Sequence, residues 1–277
     1  MVMIMFTKSV KDYSISQLID LAQELDLDGY DLCVRPGYPI NSDNAATELV
    51  KAVDAFSEAN LVVPMVTGNF DLLLPGDKTA EPILAAMDAA DIRLLKLGYF
   101  KFDPRSQDYW TEVECIKEAF SGWSQLAEKH NVKVCYHTHS RGCMGLNAGT
   151  MAHLVRDFDP RHISVYLDPS HLVIEGEEFA TATAIIGQHL SILGMKDALL
   201  VRGTQNDHGN KQIQWVEAGH GMVDWTEVFT ELSRLQFDGP LSMHCEFEIP
   251  DDGYLAALKR EVTFFQEFRV DSNESIG

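Results

Sequence analysis

The chain has 277 residues, with 22 Lys and Arg against 42 Asp and Glu, so its formal net charge is −20. Such an acidic chain, without a cluster of basic residues, repels a phosphate backbone, which argues against nucleic acid as a partner. A membrane span needs about 18 consecutive apolar residues, and no apolar run here approaches that length. A composition that is 45% hydrophobic and 23% charged is typical of a globular protein.

The N-terminus and the cysteines indicate the cellular compartment of the protein. Residues 1–6 are apolar but lack a basic flank and a cleavage site, so we expect a first strand and not a signal peptide. Five scattered cysteines without a CxxC pair argue against disulfides and a zinc ribbon. We therefore predict a reduced, cytoplasmic protein, with Cys33, Cys135 and Cys245 packed in its core.

Short apolar runs alternate with amphipathic stretches along the whole chain. Helix signals lie between the runs; for example, Ser14 and Gln17 form a capping-box pattern ahead of an apolar stripe. The eight strand candidates are residues 2–6, 30–34, 61–66, 92–97, 132–137, 163–168, 190–196 and 240–246. Such alternation predicts βαβ units around a parallel sheet.

Eight βα units in a chain of this length predict an α/β fold with a single (β/α)8 TIM barrel, typically ~250 residues long. The alternative is a doubly wound open sheet, but no G-x-G-x-x-G pattern follows the first strand. No linker interrupts the chain, so we expect one barrel over residues 1–270 and a flexible C-terminal tail over 271–277.

Histidines and acidic residues collect where the fifth to eighth strands end, at the face that carries barrel active sites. His137 and His139 are two residues apart and point the same way on a strand, as do His244 and Glu246. If both pairs point inward, they meet with Asp168 between them. Imidazole and carboxylate suit Mn²⁺, Fe²⁺, Co²⁺ or Zn²⁺. The alternative is that these histidines only hydrogen-bond the backbone.

Motifs at the strand ends resemble those of the xylose isomerase-like TIM barrel family, the sugar phosphate isomerases and epimerases that share a fold with endonuclease IV. The resemblance covers almost the whole chain and depends on five motifs in order. They are Gly29-Tyr30-Asp31-Leu32, Tyr136-His137-Thr138-His139, Leu167-Asp168-x-x-His171, Met195-Lys196-Asp197, and Gly219-His220-Gly221-Met222-Val223-Asp224-Trp225.

The resemblance implies one divalent metal (Mn, Co, Mg or Zn), held by Glu, Asp, His and Glu at the ends of strands five to eight. This chain keeps only the Asp, as Asp168; the other three positions are His137, Gly194 and His244. Glycine offers no ligand atom. Either the metal has a rearranged set of His137, Asp168 and His244 with Glu246 or His171, or no metal binds.

Other side chains near the strand ends are candidates for catalysis and substrate binding. A free imidazole suits acid–base work near neutral pH, so His139 and His171 are the predicted catalytic groups. Lys196 would stabilise a developing oxyanion; its alternative is an ion pair with Asp197 or Asp168. The predicted substrate-binding residues are Arg35, Tyr99, Lys101, Arg202 and His220. Residues 140–145 and a long loop over 198–219, which contains His208, are predicted lids.

Three functions remain open at this point. The first is a sugar or sugar-derivative isomerase or epimerase working through an enediolate-like intermediate, or a lyase, such as a dehydratase acting on an inosose or keto sugar. The second is a metal-poor relative that binds a sugar without turnover, which Gly194 favours. The third, a DNA repair enzyme like endonuclease IV, is opposed by the net charge of −20. The expected partner is a small carbohydrate, and homo-oligomers are common in this fold.

Overall fold

A computed structural model describes residues 1–203, 209–250 and 253–274. Its strands are β1 Met3–Phe6, β2 Gly29–Cys33, β3 Val62–Thr67, β4 Leu94–Lys96, β5 Lys133–His137, β6 Ile163–Leu167, β7 Leu190–Met195, β8 Asp197–Arg202, β9 Lys211–Val216 and β10 Leu241–Met243. All except β8 and β9 pair in parallel and close into a barrel in the order β1-β10-β7-β6-β5-β4-β3-β2. The predicted single (β/α)8 barrel is confirmed.

Helices cover the outside of the barrel and connect its strands. They are α1 Ile15–Leu25, α2 Ala45–Glu58, α3 Ala80–Ala89, α4 Tyr109–His130, α5 Ala148–Val155, α6 Pro169–Ile174, α7 Phe179–Ile186, α8 Trp225–Arg234 and α9 Tyr254–Glu274. Ser14 and Gln17 form the predicted capping box at the start of α1. The predicted tail begins inside α9, and its flexibility stays a prediction. Among the described helices, none combines the length and apolarity needed to cross a bilayer.

The predicted loop over residues 198–219 is wrong in its main part, because β8 and β9 form an antiparallel hairpin there. The strands pair from Asp197 with Val216 to Arg202 with Lys211. Both contain apolar and β-branched residues that favour extended backbone, whereas polar and glycine residues concentrate between them. His208 lies outside the described residues. The hairpin follows β7 directly, which places it over the carboxyl ends of the barrel strands.

The core has an inner and an outer part. Inside the barrel, Ile4, Met65, Cys135, Tyr166 and Ile192 pack into one buried cluster. A larger cluster fills the space between the strands and the helices. The cysteines predicted to pack in the core are buried and free, as expected. A closed and filled barrel of this kind fixes the positions of the residues at the ends of its strands.

Candidate active site at the carboxyl ends of the strands

Two histidines and one aspartate converge at the mouth of the barrel. His137 is the last residue of β5, whereas Asp168 and His244 directly follow β6 and β10. The side chains are buried, and His137, Asp168 and His244 each offer a ligand atom within 4.8 Å of the other two. The predicted meeting of these three residues is therefore present in the structure.

The two carboxylate oxygens of Asp168 have different roles: one caps a helix, and the other faces the site. It is the N-cap of α6, and its Oδ1 accepts hydrogen bonds from the Ser170 backbone (3.0 Å) and hydroxyl (2.6 Å). Proline at the first position of α6 supports this cap, because its φ angle suits a helix start. Since Oδ1 is held by the helix, Oδ2 is left facing the site.

Tyrosines orient both histidines from behind. Tyr99 Oη lies 3.2 Å from His137 Nδ1, and Tyr166 Oη lies 2.6 Å from His244 Nε2. The Tyr166 hydroxyl is also 3.5 Å from the buried Asp31 carboxylate. Hydrogen bonds to one ring nitrogen fix the tautomer of a ligand histidine and leave the other nitrogen free. Here the free atoms are His137 Nε2, which lies 3.5 Å from Asp168 Oδ2, and His244 Nδ1, which lies 3.9 Å from Glu246 Oε2.

Lys196 balances the acidic groups of the site. Its ammonium lies 3.3 Å from Asp168 Oδ2 and 3.0 Å from Glu246 Oε2. Burial alone would lower the pKa of Lys196, but Asp168 and Glu246 raise it, so the group stays charged. Of the two ion pairs that the sequence allowed for Lys196, the one with Asp168 is therefore formed. The other is not, because Asp197 instead accepts hydrogen bonds from the loop at Gly219.

Polar atoms without partners indicate room for a cation here. Among the described residues, the buried atoms His137 Nε2, His171 Nε2 and His244 Nδ1 have no hydrogen-bond partner, and Asp168 Oδ2 has none beyond its ion pair with Lys196. Unpartnered buried polar atoms are costly and rare. Burial lowers the pKa of His137 well below its usual value and that of His244 to about 3, so both rings are neutral, as metal ligands must be. The donor set of two imidazoles and one carboxylate fits a divalent transition metal.

Gly194 adjoins this cluster, at the position where the resemblance implies a histidine ligand. A Cβ added to Gly194 would lie 3.1 Å from Asp168 Oδ2 and 3.1 Å from the Tyr166 ring. A longer side chain would therefore displace the tyrosine that holds His244. The glycine and Tyr166 together replace the metal-binding histidine that the resemblance implies at this position.

The two predicted catalytic histidines differ in their access to the site. His139 is partly exposed, and its Nδ1 donates to the Ser140 carbonyl at 2.8 Å, which leaves Nε2 unprotonated. Burial lowers the pKa of His139 to about 4. His171 is fully buried; its Nδ1 accepts from the Ser140 backbone N–H (3.3 Å), and its Nε2 lies 3.8 Å from Asp168 Oδ2. His139 is thus a free base, whereas His171 is held behind it.

Two connected cavities open above the cluster. The outer cleft has a volume of about 460 Å³, and the inner chamber has about 50 Å³. The residues that line both are Lys8, His139, Lys196, His244 and Glu246. The chain also has a groove of about 960 Å³ along α4, but it holds none of the predicted site residues. Enclosure, convergent charged groups and position make the two connected cavities the candidate active site.

The predicted substrate-binding residues are spread over three places. Arg35 and Tyr99 line the inner chamber. Lys101 is exposed outside both cavities and donates to Cys143 Sγ at 3.0 Å. Arg202 ends β8, and His220 is exposed in a groove beside the hairpin that shares Trp215 and Glu246 with the outer cleft. The structure brings only the first two to the chamber, and the roles of the other three stay predictions.

Sequence reasoning gave no site role to several residues that line the cavities. Asp31 lies inside β2 and Lys96 ends β4, both in the inner chamber. A charged residue in an otherwise apolar strand was the available signal for each. Trp215 on β9 lies 4.5 Å from Lys196 Nζ, measured to its ring centre, and covers the outer cleft. Only knowledge of the hairpin could have placed it there.

Glu246 reaches the site from a loop, and not from the strand that was predicted to carry it together with His244. β10 ends at Met243, and Cys245 adopts a left-handed conformation with φ of 48°. This conformation is unusual for a residue other than glycine, and such strain collects at functional sites. His244 and Glu246 still approach each other, with 3.9 Å between Nδ1 and Oε2.

The sequence model of the xylose isomerase-like TIM barrel family matches residues 19–267. The chain belongs to this family. Among curated proteins, no sequence matches it.

Solved structures similar to this chain share its fold at low sequence identity. A 3-keto-D-glucoside 4-epimerase from E. coli has a TM-score of 0.74 and 17% identity, covering 96% of this chain and 99% of that chain. A probable 3-DHS dehydratase from Bacillus anthracis has a TM-score of 0.74 and 15% identity, with coverages of 96% and 99%. A D-psicose 3-epimerase from Clostridium cellulolyticum, solved with D-tagatose, has a TM-score of 0.71 and 15% identity, with coverages of 99% and 99%.

Proposed function

We propose that this protein is an isomerase or epimerase that moves a proton at the carbon next to the carbonyl of a sugar or sugar derivative. Family membership and the epimerases among the similar structures support this reaction class. The observation that carries it is the site itself. The His139 imidazole and the buried Lys196 ammonium line one enclosed cavity, and His244 joins that cavity to a cluster of metal-ligand atoms without hydrogen-bond partners among the described residues.

His139 is the proposed base. Its Nε2 carries no proton, because Nδ1–H donates to the Ser140 carbonyl. Burial lowers its pKa to about 4, so at neutral pH the ring is unprotonated and its Nε2 lone pair is available. His171 packs against it with ring centres 4.1 Å apart. We assign His171, predicted as catalytic, to positioning His139, since it does not line either cavity.

Lys196 and Glu246 are proposed to handle the charge that develops on the substrate. The Lys196 ammonium sits at the cavity wall, where it can donate a hydrogen bond to an enediolate oxygen. Burial alone would raise the pKa of Glu246, but Lys196 beside it holds that pKa below its usual range. Glu246 is therefore an ionised carboxylate that lines the cavity. In this proposal His139 takes the proton from one carbon and, as the imidazolium, returns it to the neighbouring carbon, so the protons balance in the isomerised product.

We further propose that His137, Asp168 and His244 hold a divalent metal. The support is the fit described above: His137, Asp168 and His244 offer ligand atoms within 4.8 Å of one another, and each histidine keeps a buried nitrogen without a hydrogen-bond partner in the described part of the chain. Bound there, the cation would supply Lewis-acid polarisation of a carbonyl oxygen. The predicted fourth ligand, Glu246, is instead engaged by Lys196 at 3.0 Å.

A lyase is the second candidate function. The probable dehydratase among the similar structures favours it. Its reaction starts with the same proton abstraction and ends with loss of a hydroxyl group from the neighbouring carbon. The proposed partner in either case is a small carbohydrate, with the protein acting in the cytoplasm.

Deuterium exchange tests this proposal. The purified protein is incubated in D₂O with Mn²⁺ and a panel of ketoses, inososes and 3-keto sugars, and carbon-bound deuterium is followed by NMR. Exchange with an epimerised or isomerised product supports the first function, and exchange with an eliminated product supports the lyase. If no compound in the panel exchanges, the protein is a sugar-binding relative and the proposal fails.

A further inference from the structure

The cations that line the inner chamber divide into two groups. Lys8 and Lys196 are both paired with Glu246, and Lys196 also with Asp168. Arg35 and Lys96 also line the chamber, but no ion pair joins either of them to a carboxylate of the described residues. In a chain with a net charge of −20, two buried cations without a carboxylate partner require an explanation.

Arg35 keeps one of its terminal guanidinium nitrogens without a hydrogen-bond partner within the described ranges of the chain. It is 3% exposed, and its Nε donates to the Gly68 carbonyl at 2.8 Å. Its guanidinium carbon lies 4.2 Å from the centre of the Phe70 ring, which holds the plane of the group in place. Nη2 is buried and has no partner among the described residues. An arginine fixed in this way is arranged to bind a planar anion.

Lys96 is similarly unpaired. Its Nζ lies 3.9 Å from the centre of the Tyr99 ring, which accepts the cation on its face. The nearest buried carboxylate, Asp31, is occupied by other donors: the Thr67 hydroxyl at 2.5 Å and the Ser242 hydroxyl at 2.9 Å. Asp31 therefore neutralises at most one of the two chamber cations.

We propose that the inner chamber binds the carboxylate of a substrate through Arg35 and Lys96, so that the substrate is a keto sugar acid and not a neutral sugar. Burial lowers the pKa of Lys96 to about 7, and an anion bound beside it would favour its charged form. Arg35, charged Lys96 and ionised Asp31 then sum to one positive charge, which matches a carboxylate better than a dianionic phosphate. The volume of about 50 Å³ accommodates a group of this size. His139 lines the same chamber, so the bound acid places its neighbouring carbons beside the base.

Isothermal titration calorimetry with three matched ligands tests this inference: D-fructuronate, D-fructose 6-phosphate and D-fructose. We expect wild-type protein to bind D-fructuronate about 10- to 100-fold more tightly than D-fructose, the range for a charge-assisted pair in a buried site. In Arg35→Gln this preference should fall to within about threefold. Arg35→Lys, which keeps the charge but lacks the planar fork, should retain only part of it.

A control variant and two results keep the test decisive. Arg161→Gln alters an exposed arginine paired with Asp159 just before β6, at the opposite end of the barrel, and should change no affinity. Equal binding of D-fructuronate and D-fructose by the wild type overturns the inference. Tighter binding of D-fructose 6-phosphate, lost in Arg35→Gln, also overturns it in favour of a phosphate. Thermal melting of each variant confirms that it is folded, and Lys96→Met provides a second variant if Arg35→Gln is not.

The inference rests on the proposed function, but an experiment can contradict either one without contradicting the other. Binding is measured without turnover, so an acid preference that depends on Arg35 supports the inference even for a protein that exchanges no deuterium. Conversely, exchange with neutral ketoses and no acid preference leaves the proposed reaction intact and removes only the carboxylate site.

Discussion

Removing the Lys196 ammonium should both destabilise the protein and increase its dependence on metal. In Lys196→Met, Asp168 and Glu246 lose a cation at 3.3 Å and 3.0 Å. Each contact represents roughly 5 kcal/mol of attraction at an effective dielectric of ~20, before the cost of desolvation. Breaking a buried ion pair by removing one partner costs about 3–5 kcal/mol. We expect a loss of this size in the free energy of unfolding.

Urea denaturation in EDTA and in MnCl₂ measures both effects. Mn²⁺ should stabilise Lys196→Met more than the wild type, because the ammonium no longer competes for the Asp168 carboxylate. Lys259→Met is the matched control, since that lysine pairs with Glu24 at the surface and its loss should cost about 1 kcal/mol or less. A cost below about 1 kcal/mol for Lys196→Met would refute the charge balance described here.

Three further predictions concern stability and access. Burial raises the pKa of Glu261 to about 8, so the stability that this group contributes is fully present below about pH 4.5 and is lost as the pH rises through 8. Urea titrations at these two pH values should show that the wild type loses about 3–5 kcal/mol more of its free energy of unfolding than Glu261→Gln does. Gly29→Ala should destabilise the barrel by about 3 kcal/mol in the same assay, because its Cβ would lie 1.8 Å from the Val62 carbonyl oxygen. Trp215→Ala should slow deuterium exchange about tenfold with an unchanged melting temperature, because it opens the cleft above Lys196 to water.

The barrel was predictable from the sequence because each apolar run must pack inside a parallel sheet. The hairpin was not, because its strands are only partly buried and carry polar residues such as Gln212 and Gln214. Its turn region looks like any polar loop. Pattern alone therefore identified the eight barrel strands and missed the pair that covers their ends.

The sequence predicted which residues meet at the candidate site but not which of them contact one another. Strand-end position was enough to bring His137, Asp168 and His244 together. The sequence could not decide whether Lys196 pairs with Asp168 or Asp197, because Asp197 is its neighbour in the chain and Asp168 directly follows the adjacent strand; the hydrogen bonds that the loop at Gly219 donates to Asp197 settle it. Burial of His171 behind His139 is a tertiary effect of the same kind.

The most direct test of the account is the rate of deuterium incorporation by His139→Gln. The rate is measured in D₂O with Mn²⁺ and whichever substrate the wild type exchanges, and His153→Gln, which alters a histidine on α5, is the control. Because positioned bases contribute about 10²–10⁴-fold, we predict a loss of that size in His139→Gln and wild-type exchange in the control. Wild-type exchange by His139→Gln would contradict the central claim that this imidazole removes the proton.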